Sequence, residues 1–147
     1  MDKLIEGVEL TPLKIISNES GSVRHGLKCS ESQFHQFGEA YFSTVNEGII
    51  KGWKKHTQMI SNLIVISGKI KFVIFDDRED SQTKGMFNEI ILSESNYNRL
   101  TIHPRLWMAF QGLSDEPNML LNIASIEHNP AECINEPIHS ELIDYRF

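Results

Sequence analysis

The stretch NLIVISGKIKFVIF, residues 62–75, decides the fold that this sequence predicts. Two runs rich in β-branched and apolar residues, 62–67 and 70–75, are joined at Ser67-Gly68. Glycine tolerates the positive φ that a tight turn between antiparallel strands requires. Because apolar residues fall on both faces of these runs, both strands should be covered on two sides. The stretch therefore predicts a β-hairpin within a layered core.

Further short runs of the same kind follow the hairpin. A polar segment at 76–84 (DDREDSQTK) has the composition of a turn-rich link. After it, the sequence predicts four more strands, at 89–93, 99–103, 106–113 and 119–125. No stretch shows a sustained helical period. Regularly spaced strands with short links are typical of a sandwich or barrel, and we predict an all-β jelly-roll barrel that forms a single domain over residues 1–147.

The two ends of the chain show weaker strand patterns. Before the hairpin, strands are predicted near 8–16 and 39–44, with a polar turn at 18–22. In the tail, 137–147, alternating apolar residues predict a closing edge strand. A small barrel can bury aromatic residues or use them in a subunit interface, and we take burial as the expectation. The aromatic residues concerned near the N-terminal end are Phe34, Phe37, Tyr41 and Phe42.

Composition excludes several classes of function. The apolar share of 40% and the charged share of 23% are ordinary for a soluble globular protein, and no apolar run is long enough to cross a bilayer. The start, MDKLIEGVEL, does not resemble a secretory signal, so we expect a cytoplasmic protein without membrane partners. A net charge of -6 argues against nucleic-acid binding. Cys29 and Cys133 have no CxxC spacing and predict no disulfide framework.

A local basic run, KGWKKH at 51–56, departs from the acidic character of the chain. It suits either a solvated strand end or a pocket for a small anionic ligand, and the sequence leaves both open. On a regular strand, the period of two places Lys54 and His56 on one face. Lys51, Trp53 and Lys55 then lie on the other face. One of these faces should look into the barrel.

Five segments occur in an order that resembles the dTDP-4-dehydrorhamnose 3,5-epimerase family. They are GIIKGWKKH (48–56), NLIVISGKIKFVIFDDREDS (62–81), NYNRLTIHPRLWMAFQGL (96–113), NIASIEHNPAE (122–132) and NEPIHSELIDY (135–145). The resemblance implies a cupin-type jelly roll, or double-stranded β-helix, that forms a homodimer and binds a nucleotide-linked 4-keto sugar. It also implies metal-free acid/base chemistry without a cofactor, in cell-surface polysaccharide synthesis. Arg24, in VRHG, matches an arginine-glycine turn near the nucleotide.

The positions that match the family's catalytic residues differ from its pattern. Lys54 stands where the family has its base histidine, and Met108 stands at a second histidine. Asn122 replaces the catalytic tyrosine, and His128 replaces a later tyrosine. The chain also ends before the family segment that supplies an aspartate to orient the base. These differences make a strict rhamnose-pathway 3,5-epimerase an unsuitable interpretation.

The spacing between Gly52 and Gly68 is similar instead to the related dTDP-sugar 3,4-ketoisomerases, whose motif there is Arg-Gly-x-His-x-His. In this register His56 matches the second histidine and Lys54 stands at the first. Because histidine as a residue type exchanges protons near neutral pH, His56 is the better acid/base candidate, with a hydrogen-bonded wall residue as the alternative. Lys54 can act as a base only if its pKa is lowered, and otherwise pairs with a diphosphate or a carboxylate such as Glu127.

The leading hypothesis is a nucleotide-sugar epimerase or ketoisomerase. Lys54 and His56 transfer protons, and Asn122 polarises the keto group or, alternatively, satisfies backbone groups in a polar cavity. Trp53 and Trp107 either stack on the ligand or pack in the core. The predicted substrate-binding residues are Arg24, Lys51, Trp53, Trp107, Glu127 and His128.

Two other functions remain open from the sequence. The chain could be a noncatalytic cupin that binds a sugar nucleotide and has lost the His/Tyr pair. A metal-dependent cupin oxygenase is the third hypothesis, because fold does not fix function. Metal-binding cupins need two histidines one residue apart, a glutamate and a later histidine, and the segment 54–58 (KKHTQ) lacks both the His-x-His pair and a glutamate. We therefore predict no metal site.

Overall fold

Twelve β-strands make up the regular structure of residues 3–147, which this computed structural model describes. A 3₁₀ turn at Pro130–Glu132 is the one helical element in that range, and no helix there is long and apolar enough to span a membrane. The strands are β1 Val8–Pro12, β2 Ile15–Asn18, β3 Gly21–Arg24, β4 Glu39–Val45, β5 Ile50–His56, β6 Ser61–Ser67, β7 Lys69–Phe75, β8 Phe87–Ser93, β9 Asn98–Ile102, β10 Trp107–Gly112, β11 Asn118–Ala124 and β12 Cys133–Asn135.

Two five-stranded antiparallel sheets form the barrel. The first has the order β1-β9-β6-β11-β4, and the second has the order β12-β5-β10-β7-β8. Strands β2 and β3 form a separate hairpin whose turn confirms the one predicted at 18–22. The all-β jelly-roll prediction is confirmed, and the four strands predicted at 89–93, 99–103, 106–113 and 119–125 are present within two residues of their predicted bounds.

The prediction of a hairpin at 62–75 is wrong in its pairing, although both strands exist. Strand β6 pairs with β9 and β11 in the first sheet, whereas β7 pairs with β8 and β10 in the second. Gly68, with φ of 74°, turns the chain from one sheet to the other. A Cβ at this position would lie 2.5 Å from Asn118 Oδ1, so the corner has room only for glycine.

The main core fills the space between the two sheets. It is built from buried apolar residues that alternate along the strands, such as Leu63 and Val65 in β6 and Phe72 and Ile74 in β7. Burial of both faces of β7 follows from a second apolar cluster, which includes Val73 and lies on the outer side of the second sheet. The continuous apolar run of β7 is therefore explained by apolar layers on both of its faces.

The C-terminal tail provides the second cover. The predicted edge strand over 137–147 is absent, and the segment instead crosses the outer face of the second sheet without strand pairing. Ile143 is buried there, and the Tyr145 ring packs edge-on against Trp53 and stacks with Phe87. Burial raises the pKa of the Tyr145 phenol, and its hydrogen bond to Glu89 raises it further. The alternating apolar side chains of residues 137–147 thus pack this segment, which we call the strap, against the sheet.

A buried ion pair organises the link after β7. The fully buried Asp76 carboxylate accepts from Arg78 Nε at 2.8 Å and from the hydroxyls of Ser81 and Thr83, each at 2.6 Å. Burial raises the pKa of the Asp76 carboxyl, but these hydrogen bonds outweigh it and hold the pKa well below its usual value. Arg78 also donates to the Glu6 carbonyl oxygen at 2.6 Å, which ties the N-terminal segment to this link.

Candidate functional site

A cavity of about 240 Å³ opens between the two sheets. Its apolar walls come from residues of β6, β10 and β11, and its polar groups come from β4, β5, β6 and β11. The polar side chains that line it are Tyr41, Ser43, Lys51, Lys54, His56, Ser61 and Asn122. All three residues predicted as catalytic therefore share one cavity.

A β-bulge in β5 decides which of its side chains face inward. Met108 in β10 pairs with Lys54 in β5, and Phe110 pairs with Lys51. A step of two residues along β10 therefore corresponds to a step of three residues along β5. The extra residue in β5 reverses the strict alternation between these positions. Lys51 therefore lies on the same side as Lys54 and His56, and the prediction that it shares a face with Trp53 is wrong.

His56 forms a dyad with Glu132, a residue that the sequence analysis did not single out. The imidazole Nδ1 lies 2.7 Å from Glu132 Oε1. Glu132 is buried, and its Oε2 accepts from the backbone amides of Gln58 at 2.9 Å and Met59 at 3.0 Å. A carboxylate at Nδ1 makes that nitrogen the proton donor and leaves the lone pair on Nε2. This is the tautomer that a general base needs.

The charge of Glu132 is secured by its hydrogen bonds. Burial by itself raises the pKa of the carboxyl, but the bonds from His56 and from the two backbone amides more than offset this, so the pKa lies below its ordinary value. The carboxylate is therefore ionised at neutral pH, and an imidazolium formed at His56 has a fixed counter-charge beside it.

Asn122 and Tyr41 form the second polar pair in the cavity. They lie opposite each other on β11 and β4, and Asn122 Nδ2 donates to the Tyr41 hydroxyl oxygen at 3.1 Å. Because the phenol oxygen accepts this bond, its own hydrogen is free for another partner. The buried Asn122 Oδ1 has no hydrogen-bond partner among residues 3–147. Tyr41, for which we expected burial in the core, instead presents a donor to the cavity and is 42% exposed.

Two ammonium groups give the cavity positive charge. Lys51 Nζ donates to Ser43 Oγ at 3.2 Å and lies 5.9 Å from the centre of the Phe110 ring. Within residues 3–147, neither Lys51 nor Lys54 forms an ion pair with a carboxylate. The alternative in which Lys54 pairs with Glu127 is therefore wrong, and both charges remain available to a ligand.

The two tryptophans lie on the opposite face of the second sheet from the cavity. Trp53 is 1% exposed beneath the C-terminal tail. Trp107 is also buried, and its indole N–H donates to Asp77 at 2.9 Å while Lys55 Nζ lies 4.7 Å from its ring centre. Stacking of either ring on a ligand in the cavity is therefore excluded by position, and the packing alternative is the one that the structure supports.

Three other predicted substrate-binding residues also lie outside the cavity. Arg24 lies in β3, where it pairs with Glu94 and its guanidinium lies 5.7 Å from the centre of the Tyr97 ring. Glu127 and His128 are exposed in the link between β11 and β12. No contact within residues 3–147 brings these three side chains to Lys54 or His56. Of the predicted substrate-binding set, the structure joins Lys51 alone to the candidate catalytic residues.

A larger open depression lies elsewhere on the barrel rim. It is lined by one lysine and four carboxylates, contributed by Glu47, Glu94, Asp115 and Glu116. Such a surface repels phosphorylated ligands, whereas the smaller cavity has two free ammonium groups and the dyad. We therefore place the candidate site in the smaller cavity.

The model of the dTDP-4-dehydrorhamnose 3,5-epimerase family matches residues 4–137. This chain belongs to that family. The match covers both sheets, every polar residue of the cavity and also Glu132, in the 3₁₀ turn before the last strand. The resemblance inferred from the sequence is confirmed.

Individual members of the family and its structural neighbours agree with this assignment. A dTDP sugar isomerase from Desulfovibrio desulfuricans G20 is 36% identical, with a TM-score of 0.93 over 97% of this chain and 91% of that one. The probable low-salt glycan biosynthesis epimerase Agl13 of Haloferax volcanii is 28% identical over 80% of this chain and 77% of its own length. QdtA, a sugar 3,4-ketoisomerase from Thermoanaerobacterium thermosaccharolyticum solved with TDP, shares the fold, with 21% identity, a TM-score of 0.75 and coverage of 90% of both chains.

Proposed function

We propose that this chain is an epimerase or ketoisomerase of nucleotide-linked 4-keto-6-deoxysugars that works in cell-surface polysaccharide synthesis. The observation that supports this best is the His56–Glu132 dyad. His56 lines the cavity, and its Nε2 is not used in the bond to Glu132. The substrate class is supported by membership of the family and by a relative described as a glycan biosynthesis epimerase.

Proton abstraction begins the reaction. The keto group acidifies the C–H bonds next to it, and His56 Nε2 takes one of these protons while Glu132 holds the imidazolium that results. The negative charge moves to the keto oxygen as an enolate forms. The Lys54 ammonium and the Asn122 N–H that is not bonded to Tyr41 stabilise this oxygen, because both groups lie in the same cavity. Neither group has to gain or lose a proton to do so.

Tyr41 returns the proton in this proposal, and Lys54, predicted from the sequence to transfer protons with His56, stabilises the enolate charge instead. The bond from Asn122 orients the phenol as a donor, and the hydroxyl lies in the cavity. Protonation of the enolate carbon from the opposite face gives an epimer. Protonation of the former keto carbon instead, while the neighbouring hydroxyl passes its proton to the former keto oxygen, moves the keto group by one carbon and gives a ketoisomer, so one set of residues serves either outcome.

Lys51 binds the diphosphate of the nucleotide. It is exposed and has no carboxylate partner within residues 3–147, and a flexible ammonium group suits a phosphate charge. Asn122 Oδ1, which has no hydrogen-bond partner within residues 3–147, accepts a hydroxyl hydrogen of the sugar. The reaction needs no cofactor, since the substrate's own keto group stabilises the carbanion.

Solvent deuterium tests the function directly. The protein is incubated with dTDP- and CDP-linked 4-keto-6-deoxyhexoses in deuterated water, and exchange at C3 and C5 is followed by mass spectrometry and NMR. We expect exchange above a control without enzyme, lost in His56→Asn and strongly slowed in Tyr41→Phe, with Glu127→Gln as an unaffected control. Absence of exchange with every substrate would overturn the enzymatic proposal.

A noncatalytic sugar-nucleotide-binding cupin is the second candidate. It is favoured by the loss of the family's own residues at Lys54, Met108 and Asn122. This candidate predicts saturable binding of the same compounds by calorimetry, without deuterium exchange. Lys51→Ala would then weaken affinity and change no rate.

The proposed assembly is a homodimer in the cytoplasm. Support for the dimer comes from apolar side chains on the outer face of the first sheet, where Phe42 is 62% exposed and Ile66 is 39% exposed. Leu121 in the central strand pairs with Phe42 on one side and with Ile64, two residues before Ile66, on the other, so apolar residues run across three strands. A second copy of the chain covers this face in the proposal.

A further inference from the structure

Cys133 lies beside the dyad, a placement that the proposed reaction does not use. In the antiparallel pair of β12 and β5, Cys133 is the direct partner of His56. Directly opposed residues project from the same face of a sheet, so the thiol and the imidazole are neighbours. The chain therefore brings a sulfur, a nitrogen and an oxygen ligand together, with Glu132 as the third member.

The donor atoms of His56, Glu132 and Cys133 all lie within 4.8 Å of one another. Tetrahedral zinc, with bonds of about 2.0 to 2.3 Å, needs its ligand atoms roughly 3.3 to 3.8 Å apart. Adjustments of about one ångström therefore close the site around an ion, and they require the Nδ1–Oε1 distance of 2.7 Å to open. Imidazole, carboxylate and thiolate are ligands that Zn²⁺ accepts together, and water completes the fourth position.

We propose that these three residues bind Zn²⁺, and that the bound ion switches off the acid/base chemistry of His56. The inhibitory part of this inference rests on the proposed function, whereas the metal site itself does not. The metal takes the Nδ1 lone pair and Glu132 Oε1, so the hydrogen bond between them is lost. The thiol proton of Cys133 passes to solvent as the thiolate binds.

The switch follows from the two nitrogens of one imidazole ring. In the dyad, the proton is on Nδ1 and the lone pair is on Nε2. Coordination through Nδ1 requires that nitrogen to give up its proton, and in the neutral ring the proton is then on Nε2. The nitrogen that accepted the substrate proton now carries one of its own. Metal-bound and base-competent states of His56 therefore exclude each other.

Cobalt provides a test of the site that does not depend on activity. Co²⁺ is added to the metal-free protein, and the thiolate-to-cobalt charge-transfer band is recorded in the ultraviolet, with Zn²⁺ affinity then measured by competition. We expect the band in wild type and in Cys29→Ser, whose substitution removes an exposed cysteine outside the site. Cys133→Ser should lose the band and lower Zn²⁺ affinity at least tenfold. A band that persists in Cys133→Ser, or is absent from wild type, overturns the site.

Deuterium exchange in the presence of Zn²⁺ tests the switch. We expect wild type and Cys29→Ser to lose at least nine-tenths of their exchange rate at saturating Zn²⁺ and to recover it with EDTA. Cys133→Ser should keep the basal rate and resist the same Zn²⁺ concentration. Zinc binding without loss of the exchange rate would overturn the proposed inhibition of His56, while the proposal of the metal site would stand. If no sugar nucleotide gives exchange, the cobalt band still decides the site, and the proposed function alone has failed.

Discussion

Glu132 shows how much a single side chain decides in this barrel. It lies 76 residues after His56 in the chain, in the 3₁₀ turn before β12, and it reaches the imidazole through the pairing of β12 with β5. No spacing rule connects the two positions, so the sequence could not predict the dyad. The sequence identified His56 by its chemistry, and the structure supplied the residue that fixes its tautomer.

Glu132→Gln should lower kcat roughly 10- to 100-fold with little change in KM, because the residue orients His56 and lies outside substrate contact. The measurement is steady-state kinetics on the sugar nucleotide that shows exchange. Glu127→Gln, a few residues earlier and exposed, is the matched control and should leave both constants unchanged. A rise in KM at unchanged kcat would argue that Glu132 binds substrate instead.

Asp76→Asn should destabilise the fold by about 3 kcal/mol at neutral pH, because it removes the buried carboxylate that pairs with the half-buried Arg78. The folded pKa of Asp76 lies below its ordinary value of 3.8, so this stabilisation is present above that value and is lost as pH falls. The stability difference between wild type and variant should therefore shrink from about pH 4 downward. Urea titrations at several pH values measure it. The exposed Asp80, paired with Arg105, gives the control Asp80→Asn, for which no measurable change is expected.

Strand β5 has two functions, one on each face. Its inner face presents Lys51, Lys54 and His56 to the cavity, and its outer face packs Trp53 beneath the tail. The sequence predicted an extended strand and a shared face for Lys54 and His56. It could not predict the bulge, since an inserted residue depends on the hydrogen bonds to β10 and leaves no signature in the residue types.

The corner between β6 and β7 should depend on Gly68 far more than an open turn depends on its glycine. Gly68→Ala should cost about 3 kcal/mol, because positive φ is combined with a contact of 2.5 Å to Asn118. Gly85 also has positive φ, but a Cβ there meets nothing within 4 Å, so Gly85→Ala should cost only about 1 kcal/mol. Chemical denaturation of both variants measures the difference. Equal losses would show that backbone strain alone matters at the corner.

Neighbouring residues of the tail provide a further matched pair. Ile143 is 2% exposed against the second sheet, and Leu142 is 70% exposed. Ile143→Ala should lower stability by about 3 kcal/mol through the cavity that it leaves. Leu142→Ala should change it by less than about 0.5 kcal/mol. Thermal and urea unfolding measure the loss of stability in both variants. Equal losses would contradict the packing of Ile143 against the second sheet.

For the whole molecule, the sequence predicted the fold class and the family but not the way in which the strands pair. Apolar runs at 62–67 and 70–75 fit a hairpin as well as they fit two strands in facing sheets. The tail shows the same ambiguity, because alternation favours an edge strand yet also suits a strap over Trp53. Long-range pairing decides both cases, and local patterns contain no information about it. The exposed Phe37 and Phe42, predicted to be buried, belong to the same class of error.

Assembly of the proposed dimer should be sensitive to the outer face of the first sheet. Phe42→Asp should convert dimer to monomer, because a carboxylate replaces an apolar contact at the centre of the proposed interface. Sedimentation velocity over a range of protein concentrations measures this. Leu142→Asp, which changes an exposed apolar residue on the tail, is the control and should remain dimeric. A wild-type protein that sediments as a monomer would contradict the proposed assembly.

The outward position of both tryptophans has a consequence for how this protein can be observed. The sequence contains only Trp53 and Trp107, and both are buried on the face of the second sheet that is turned away from the cavity. Their intrinsic fluorescence is therefore a reporter of the tail, and detachment of the strap should shift the emission to the red as water reaches Trp53. A ligand that fills the cavity should change the tryptophan emission very little, so ligand binding has to be followed with a separate fluorescent probe.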